Sequence, residues 1–383
     1  MDLNPATKHA RRALSAVLLF ILSANSMGAE VHLLRVPNGG IQPQAAAGED
    51  GTIHLIYFKG DAMHGDVYYT NRAFDSDSWR DPIQVNTLEK TVVAAGTVRG
   101  AHLALGANDR IHVAWMSADG GGLAGERAMY YTRMKLKGPG FEPQRNVIQH
   151  AYGLDGGGTI SADREGNVYV VWHAGEDGEA SRRVFVAKSN DSGQTFGTDT
   201  ATSDGTAGAC GCCGIRSAAG PGGVGYVLYR TAREEIHRDA NLIVFGKDSA
   251  YNQITVEPWE LNACPMSTAS LLPDSTGVSV AWETDGQVSW ARYGADGDRI
   301  MGPFAASGSG GARKHPVLAG NDRGETILAW TDGTGWKRGG TFAWQVYDGD
   351  GRPTPERGAS EGIPTWSTVS VLTDTSGAFI LIH

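Results

Sequence analysis

Val168-Tyr-Val-Val-Trp172, Arg183-Val-Phe-Val-Ala-Lys188 and Ser189-Asn-Asp-Ser-Gly-Gln-Thr-Phe196 follow one another in the chain. The first two read as strands rich in β-branched and aromatic residues. The octet reads as the turn that closes the second of them. Asp191 is placed to accept backbone amides, Gly193 to take positive φ, and Thr195-Phe196 to return the chain to a strand. The first of these strands has copies. Ile53–Tyr57, Ile111–Trp115, Gly225–Tyr229, Val278–Trp282, Thr326–Trp330 and Ala378–Ile382 align with Val168–Trp172 on the closing aromatic, with Ile382 in that place in the last copy. The closing residues recur every 48 to 58 residues, and polar turns such as Arg164-Glu-Gly and Asp322-Arg-Gly precede most copies. A period near fifty predicts an all-β propeller of four-stranded blades. Seven blades fit the seven copies, and six is the second reading. Val31–Val36 belongs to no unit and is expected to add a strand to the last blade and close the ring.

Composition agrees. The chain has 383 residues, 53 of them glycine, and only 20% are charged. That suits many tight turns and few long helices. The formal charge of -9 argues against nucleic acid as a partner. Lys8, Arg11 and Arg12 precede the apolar run Ala13–Leu22, and small residues follow, so residues 1–29 are read as an export signal. Residues 30–383 form a single propeller domain in this reading, in the periplasm or outside the cell, with no transmembrane anchor once the signal is removed.

In a propeller the starts of first strands and the ends of second strands share one face. This places Arg99, His102, Asp155, His173, Arg216, Arg230, Glu283, Lys314 and His315 on one rim, with Asp332 and the segment His237-Arg-Asp239 beside it. Mixed charges around a concave mouth suit a polar ligand. The turn carrying Ser189, Asp191, Gly193, Thr195 and Phe196 falls on the other face and is read as scaffold.

The four cysteines lie in Cys210-Gly-Cys-Cys213 and at Cys264. Both stretches lead into first strands of adjacent units, so they should be neighbours. In an exported protein an even number points to disulfides. The other reading is a soft-metal site for Cu(I) or Zn(II), with Met266 or His237 as a further ligand.

The octet Ser189–Phe196 fits the Asp-box pattern Ser-x-Asp-x-Gly-x-Thr-(Trp/Phe), and here the chain resembles the sialidase-type propellers. Gly39-Gly-Ile-Gln-Pro-Gln44, Cys210-Gly-Cys-Cys-Gly214, Cys264-Pro-Met-Ser267 and Arg313-Lys-His-Pro316 resemble more closely a group of uncharacterised exported sialidase-like proteins. The sialidase resemblance implies an arginine triad for a substrate carboxylate, a tyrosine nucleophile and an aspartate acid. Arg35, in Arg35-Val-Pro37, with Arg99 and Arg230 would be the triad, Asp61 the acid, and Tyr347 the nearest candidate for the nucleophile. Asp155 and Glu283 are further carboxylates for that chemistry. The function implied is an exo-glycosidase, or a binder, directed at an acidic glycan or glycoconjugate. The alternative is a non-catalytic propeller that holds a protein ligand or a soft metal at the cysteines.

Overall fold

The computed structural model describes residues 1, 29–118, 120, 126–246 and 251–383. The export signal read over residues 1–29 lies, but for its two ends, outside the described residues. Seven antiparallel sheets follow one another along the chain. Their inner strands are Ile41–Ala47, His102–Leu105, Leu154–Ala162, Arg216–Ala219, Ser270–Pro273, Arg313–Gly320 and Ser370–Thr373. Each inner strand lies beside that of the next sheet, and the seventh returns to the first, so the sheets are the blades of a seven-bladed propeller. Blades one to six have four strands each, and the seventh has three. Its third strand is Val31–Leu34, added parallel to Phe379–Ile382. The N-terminal strand thus closes the ring, as its orphan position in the sequence predicts.

Why this sequence makes blades is visible in the hairpins. Asp163 Oδ1 accepts the amides of Glu165 and Asn167, both at 2.9 Å. Asn321 and Asp374 do the same for Arg323 and Glu325, and for Ser376 and Ala378. These short side chains end the inner strand and reverse it into the second strand by satisfying amides that the ladder cannot reach.

Seven hydrophobic clusters fill the spaces between neighbouring blades, one in each, and two smaller ones, around Val93 and around Cys210, lie outside those spaces. The aligned aromatics fill them. Tyr57, Trp115, Trp172, Tyr229, Trp282 and Trp330 are each at most 4% exposed, and each packs toward the preceding blade. The seventh copy departs from the sequence alignment by one residue. Ile382 faces the first blade with Tyr57 and Ile53, while the ring at the aromatic position is His383, 4.5 Å from Phe342 of blade six. In a strand a one-residue slip exchanges the two faces, and an imidazole in place of an indole hides the register from an apolar alignment.

Polar bonds tie the inner strands together. The amide of Leu318 donates to Ser270 Oγ at 3.0 Å, that of Ala45 to Ser370 Oγ at 3.0 Å, and that of Ser217 to Thr159 Oγ1 at 3.3 Å. All three stand at the same level of the ring. One level higher, His315 N and Gln42 N donate to Ser267 Oγ and Ser367 Oγ. Met266-Ser-Thr-Ala-Ser270 and Trp366-Ser-Thr-Val-Ser370 are therefore two copies of one fastening.

The turn Ser189–Phe196 lies on the face opposite the inner-strand starts. Asp191 accepts from Ser189 Oγ at 2.7 Å, Thr195 N at 2.8 Å and Thr195 Oγ1 at 2.6 Å. Gly193 has φ +74°, and a Cβ there would stand 1.8 Å from the Tyr131 hydroxyl of blade two. Phe196 meets the Tyr131 ring edge-on at 4.9 Å. The turn is a wedge between blades, which is the scaffold role its sequence predicts.

Candidate functional site: the axial mouth

Four consecutive inner strands carry, just before or just inside their starts, a non-glycine residue with positive φ: Met266 (51°), His315 (54°), Trp366 (67°) and, across the closure, Gln42 (54°). Such left-handed residues cost about 1 kcal/mol or more each and persist only where their surroundings hold them. Here they bring side chains to the axis. Met266, His315 and Trp366, with Thr97, Cys264, Lys314 and Trp336, line a small mouth of about 70 Å³. Gln42 does not face the ligand space. Its amide donates to the carbonyls of Ala94 (2.7 Å) and Trp366 (2.8 Å), fixing the mouth across three blades.

Trp336 is 57% exposed and meets Trp366 edge-on at 4.7 Å. It comes from the glycine-rich loop Gly333-Thr-Gly-Trp-Lys-Arg-Gly-Gly340, where no core exists to bury it. That isolation of an indole among polar and glycine residues was the available signal, and an alignment of strands passes over it. Arg99 lies against the same wall: a Cβ on Gly96 would come within 2.7 Å of its Nη1 and 3.4 Å of the Trp336 ring. Lys314 Nζ donates to the carbonyl of Pro265. Among the described residues no carboxylate lies within ion-pair distance of Lys314 or Arg216.

Below the mouth the axial channel encloses about 190 Å³, lined by Gln44, His102, Thr159, Arg216, Ser270 and residues of blades six and seven. Arg216 Nη1 donates to His102, whose ring is 5% exposed. Burial, then the charge of Arg216, holds the His102 pKa well below the usual imidazole value. His102 is thus neutral and able to accept. Burial also lowers Arg216 itself, to about 10. His315 lines the mouth. Its pKa falls to about 3 through burial, then Lys314 and Arg216, and its Nδ1 accepts the amide of Thr268 at 3.3 Å. Arg99, Arg216 and Lys314 stand at or just before inner-strand starts, and among the described residues Asp155 is the carboxylate paired with one of them. In a chain of net charge -9 the mouth is a local excess of positive charge.

Asp155 is 44% exposed and lies between Arg99 (3.6 Å) and Arg182 (3.4 Å). The position after each aligned aromatic behaves differently from the sequence reading. Phe58, Met116, His173, Arg230, Glu283 and Thr331 are all buried. Strand alternation aims this residue sideways into the next space between blades, not up at the rim. His173 Nδ1 faces the Asp155 carbonyl at 3.4 Å. Arg230 stacks on Trp259 at 4.9 Å and donates to the carbonyls of Arg238 and Glu283. Glu283 is 2% exposed and accepts the Gly286 amide at 2.6 Å. Burial raises its pKa against the pull of that amide and of Arg230. Arg238 is buried and paired with Glu179, and Asp239 accepts the Trp259 amide at 2.9 Å. Asp332 closes its strand opposite Arg313 and is not part of the mouth lining.

The residues drawn from the family resemblance do not meet. Arg35 lies near Gly362 on the outer strand of blade six, Arg99 at the mouth, and Arg230 between blades four and five. Asp61 accepts the Met63 amide of its own exposed turn. Tyr347 is 1% exposed and packs edge-on against Trp290, with burial raising its pKa to about 12.

The cysteines do meet. All four are free thiols. Cys210 and Cys213 have their sulfurs 3.2 Å apart, and Cys212, Cys264 and a carboxylate oxygen of Glu179 lie within 4.8 Å of one another. His237 is not among them, since its ring nitrogens face Glu234 (3.7 Å) and Glu260 (3.8 Å). A larger concavity of about 590 Å³ lies on the opposite face beside the Ser189–Phe196 turn, where Asp191 already satisfies the polar groups of that turn. Among the described residues no helix is long and apolar enough to cross a membrane.

No protein-family model matches the chain, and no curated protein matches it in sequence. Solved structures do. A GH93 α-L-arabinofuranosidase of Fusarium graminearum with arabinobiose is 10% identical, with a TM-score of 0.49 over 79% of this chain and 92% of that one. The polysaccharide lyase Uly1 is 12% identical, at 0.47 over 81% and 78%. The SapL1 lectin in complex with α-methyl fucoside is 11% identical, at 0.47 over 85% and 96%. At such identities and scores these likenesses say nothing of what this chain binds, and the propeller itself stands on the strand pairing given above.

Proposed function

We propose that the axial mouth binds an acidic glycan or glycoconjugate, in a protein that residues 1–29 direct out of the cytoplasm. The observation that carries this reading is the exposed Trp336, set beside Lys314, which among the described residues has no carboxylate within ion-pair distance, and beside Arg99, which shares Asp155 with Arg182. An indole face offers an apolar platform to the C–H face of a pyranose while its rim stays wet. Lys314 and Arg99 are placed to meet a carboxylate or sulfate on the same sugar, Arg99 by paired charged hydrogen bonds. Arg216 adds a desolvated positive charge beneath them.

Recognition is favoured over hydrolysis because the carboxylates are committed. Most glycoside hydrolysis uses two carboxyl groups facing one bond, and the sialidase form uses a tyrosine with an aspartate; here Tyr347 is enclosed. Glu283 is enclosed, Asp61 caps its own turn, and Asp155 is shared by two guanidiniums. The test is calorimetric titration of the mature protein with uronate-, sialate- and sulfate-terminated oligosaccharides and their neutral counterparts. Fluorogenic acidic glycosides are assayed in parallel. Binding confined to the acidic series without turnover is expected. Turnover would restore the exo-glycosidase, and equal binding of neutral sugars would remove the role of the cations.

A further inference from the structure

The mouth has a second chemistry on its wall. Cys264 lines it; behind it Cys212 lies within 4.8 Å of Cys264 and Glu179, and Cys210 and Cys213 form a second sulfur pair at 3.2 Å in the same turn. We propose that Cys210, Cys212, Cys213 and Cys264 form a binding site for a thiophilic d10 cation, Cu(I) first and Zn(II) second, which links the lead-in segments of two blades.

The ligands come from separate stretches that the ring geometry brings together. Cys210-Gly-Cys-Cys213 is a tight turn, closed by the Cys213 amide donating to the Cys210 carbonyl at 3.2 Å. The turn is held from both sides. The Cys210 amide donates to the Arg230 carbonyl at 2.9 Å, and the Gly214 amide to the Ser267 carbonyl at 2.9 Å. That second bond also anchors the turn to the strand that follows Cys264. The turn also lies close against the inner strand of blade three: a Cβ at Gly156, where φ is +82°, would stand 2.1 Å from the Gly211 carbonyl oxygen, so glycine at 156 lets the turn sit this close. The thiols are therefore placed by backbone bonds that do not involve sulfur.

Two of the four thiols are enclosed, Cys212 is half-buried and Cys264 is exposed. Cys210 and Cys213 are fully enclosed, at 0% and 1% exposure. A thiolate in such a place needs a nearby positive charge. Arg230 and Arg238 supply it. Among the described residues, Glu179 is the carboxylate grouped with these thiols, and it is already held by Arg238. This leaves soft sulfur as the donor set, which selects Cu(I) over harder ions. Each thiol that becomes a ligand releases one proton to solvent, and no electron is transferred.

The experiment uses the full-length mature protein, reduced and kept anaerobic. It is titrated with Cu(I) against a chromophoric Cu(I) chelator, and separately with Zn(II) against a Zn(II) dye, with sulfur ligation read by X-ray absorption. The expected result is one equivalent of Cu(I) held against the chelator, with sulfur neighbours. Cys264→Ser, at an exposed position, should weaken this at least tenfold without altering the fold, and Glu179→Gln should leave Cu(I) binding unchanged. Tight Zn(II) binding with the same dependence on Cys264 would support the site and reassign its ion. Failure of the reduced, folded protein to hold either ion, or retention undiminished in Cys264→Ser, overturns the proposal. Its failure would leave glycan binding at Trp336 untouched, and the two are scored separately.

Discussion

Replacing Arg216 by methionine should make the protein more stable and abolish binding of an acidic ligand. Arg216 stands in the axial channel with His102 as its side-chain partner and no carboxylate in reach among the described residues. Burial lowers its pKa from 12.5 to about 10. At about 1.4 kcal/mol for each tenfold change, charging it in the folded state is about 3 kcal/mol less favourable than in the unfolded chain. Methionine has a similar reach and no charge. The substitution loses the hydrogen bond to His102, worth about 1 kcal/mol, so a net gain of about 1–2 kcal/mol is expected. Buried ionic groups replaced by apolar ones behave this way elsewhere. Because the folded pKa lies below the unfolded one, the cost of Arg216 is complete below about pH 10 and fades only as pH rises above that. The gain should therefore be constant from about pH 5 to 9. Urea unfolding of both proteins, compared by midpoint at equal m-value, measures it, and a rise in Tm of a few degrees should accompany it. If Arg216→Met lowers stability by about 1 kcal/mol or more, Arg216 is a structural pillar and not a charge held in reserve for a ligand.

Gly193→Ala should destabilise by about 2–4 kcal/mol, combining positive φ with a collision against the Tyr131 hydroxyl. Adding Tyr131→Phe should recover part of the loss in a double-mutant cycle read by urea unfolding. Ser370→Ala leaves the Ala45 amide without its partner at the ring closure, so a loss of about 1–3 kcal/mol is expected. Hydrogen exchange should place that loss at blades one and seven. The Asp191 carboxyl has a pKa of about 2, where slight burial would raise it but hydrogen bonds from Thr195 and Ser189 outweigh this. The stability it contributes is present above about pH 4 and is lost as pH falls through 2. Thermal melts of Asp191→Asn should therefore show a flatter acid limb than the parent protein.

The ring was legible in the sequence because each blade repeats the same demand. One indole or phenol fills six of the seven spaces between blades, and a short polar residue reverses hairpins such as those at Asp163, Asn321 and Asp374. Trp172 and the Asp163 turn are enough to find the others. His383 was missed because its ring fills an aromatic position without being apolar. The candidate site was legible only where it lies on inner strands, as with Arg99, Asp155, Arg216, Lys314 and His315. Strand alternation turns His173, Arg230 and Glu283 into the walls, and no sequence period distinguishes a wall from a rim at a strand's end. Trp336, Arg182 and Glu179 sit in loops after second strands, whose course no repeat fixes. The four cysteines were predicted to be neighbours from blade order alone, and they are.

The account rests on the mouth being a site for an anionic sugar, and one comparison tests that most directly. The affinity of the parent protein and of Trp336→Ala for one acidic oligosaccharide is measured at low salt and at about 0.5 M salt. Trp336 is exposed and carries no core packing, so the variant should fold normally and bind at least tenfold more weakly. The parent's affinity should fall with salt, because the cations of the mouth contribute to it. Equal affinity in the two proteins, or binding indifferent to salt, would contradict the account.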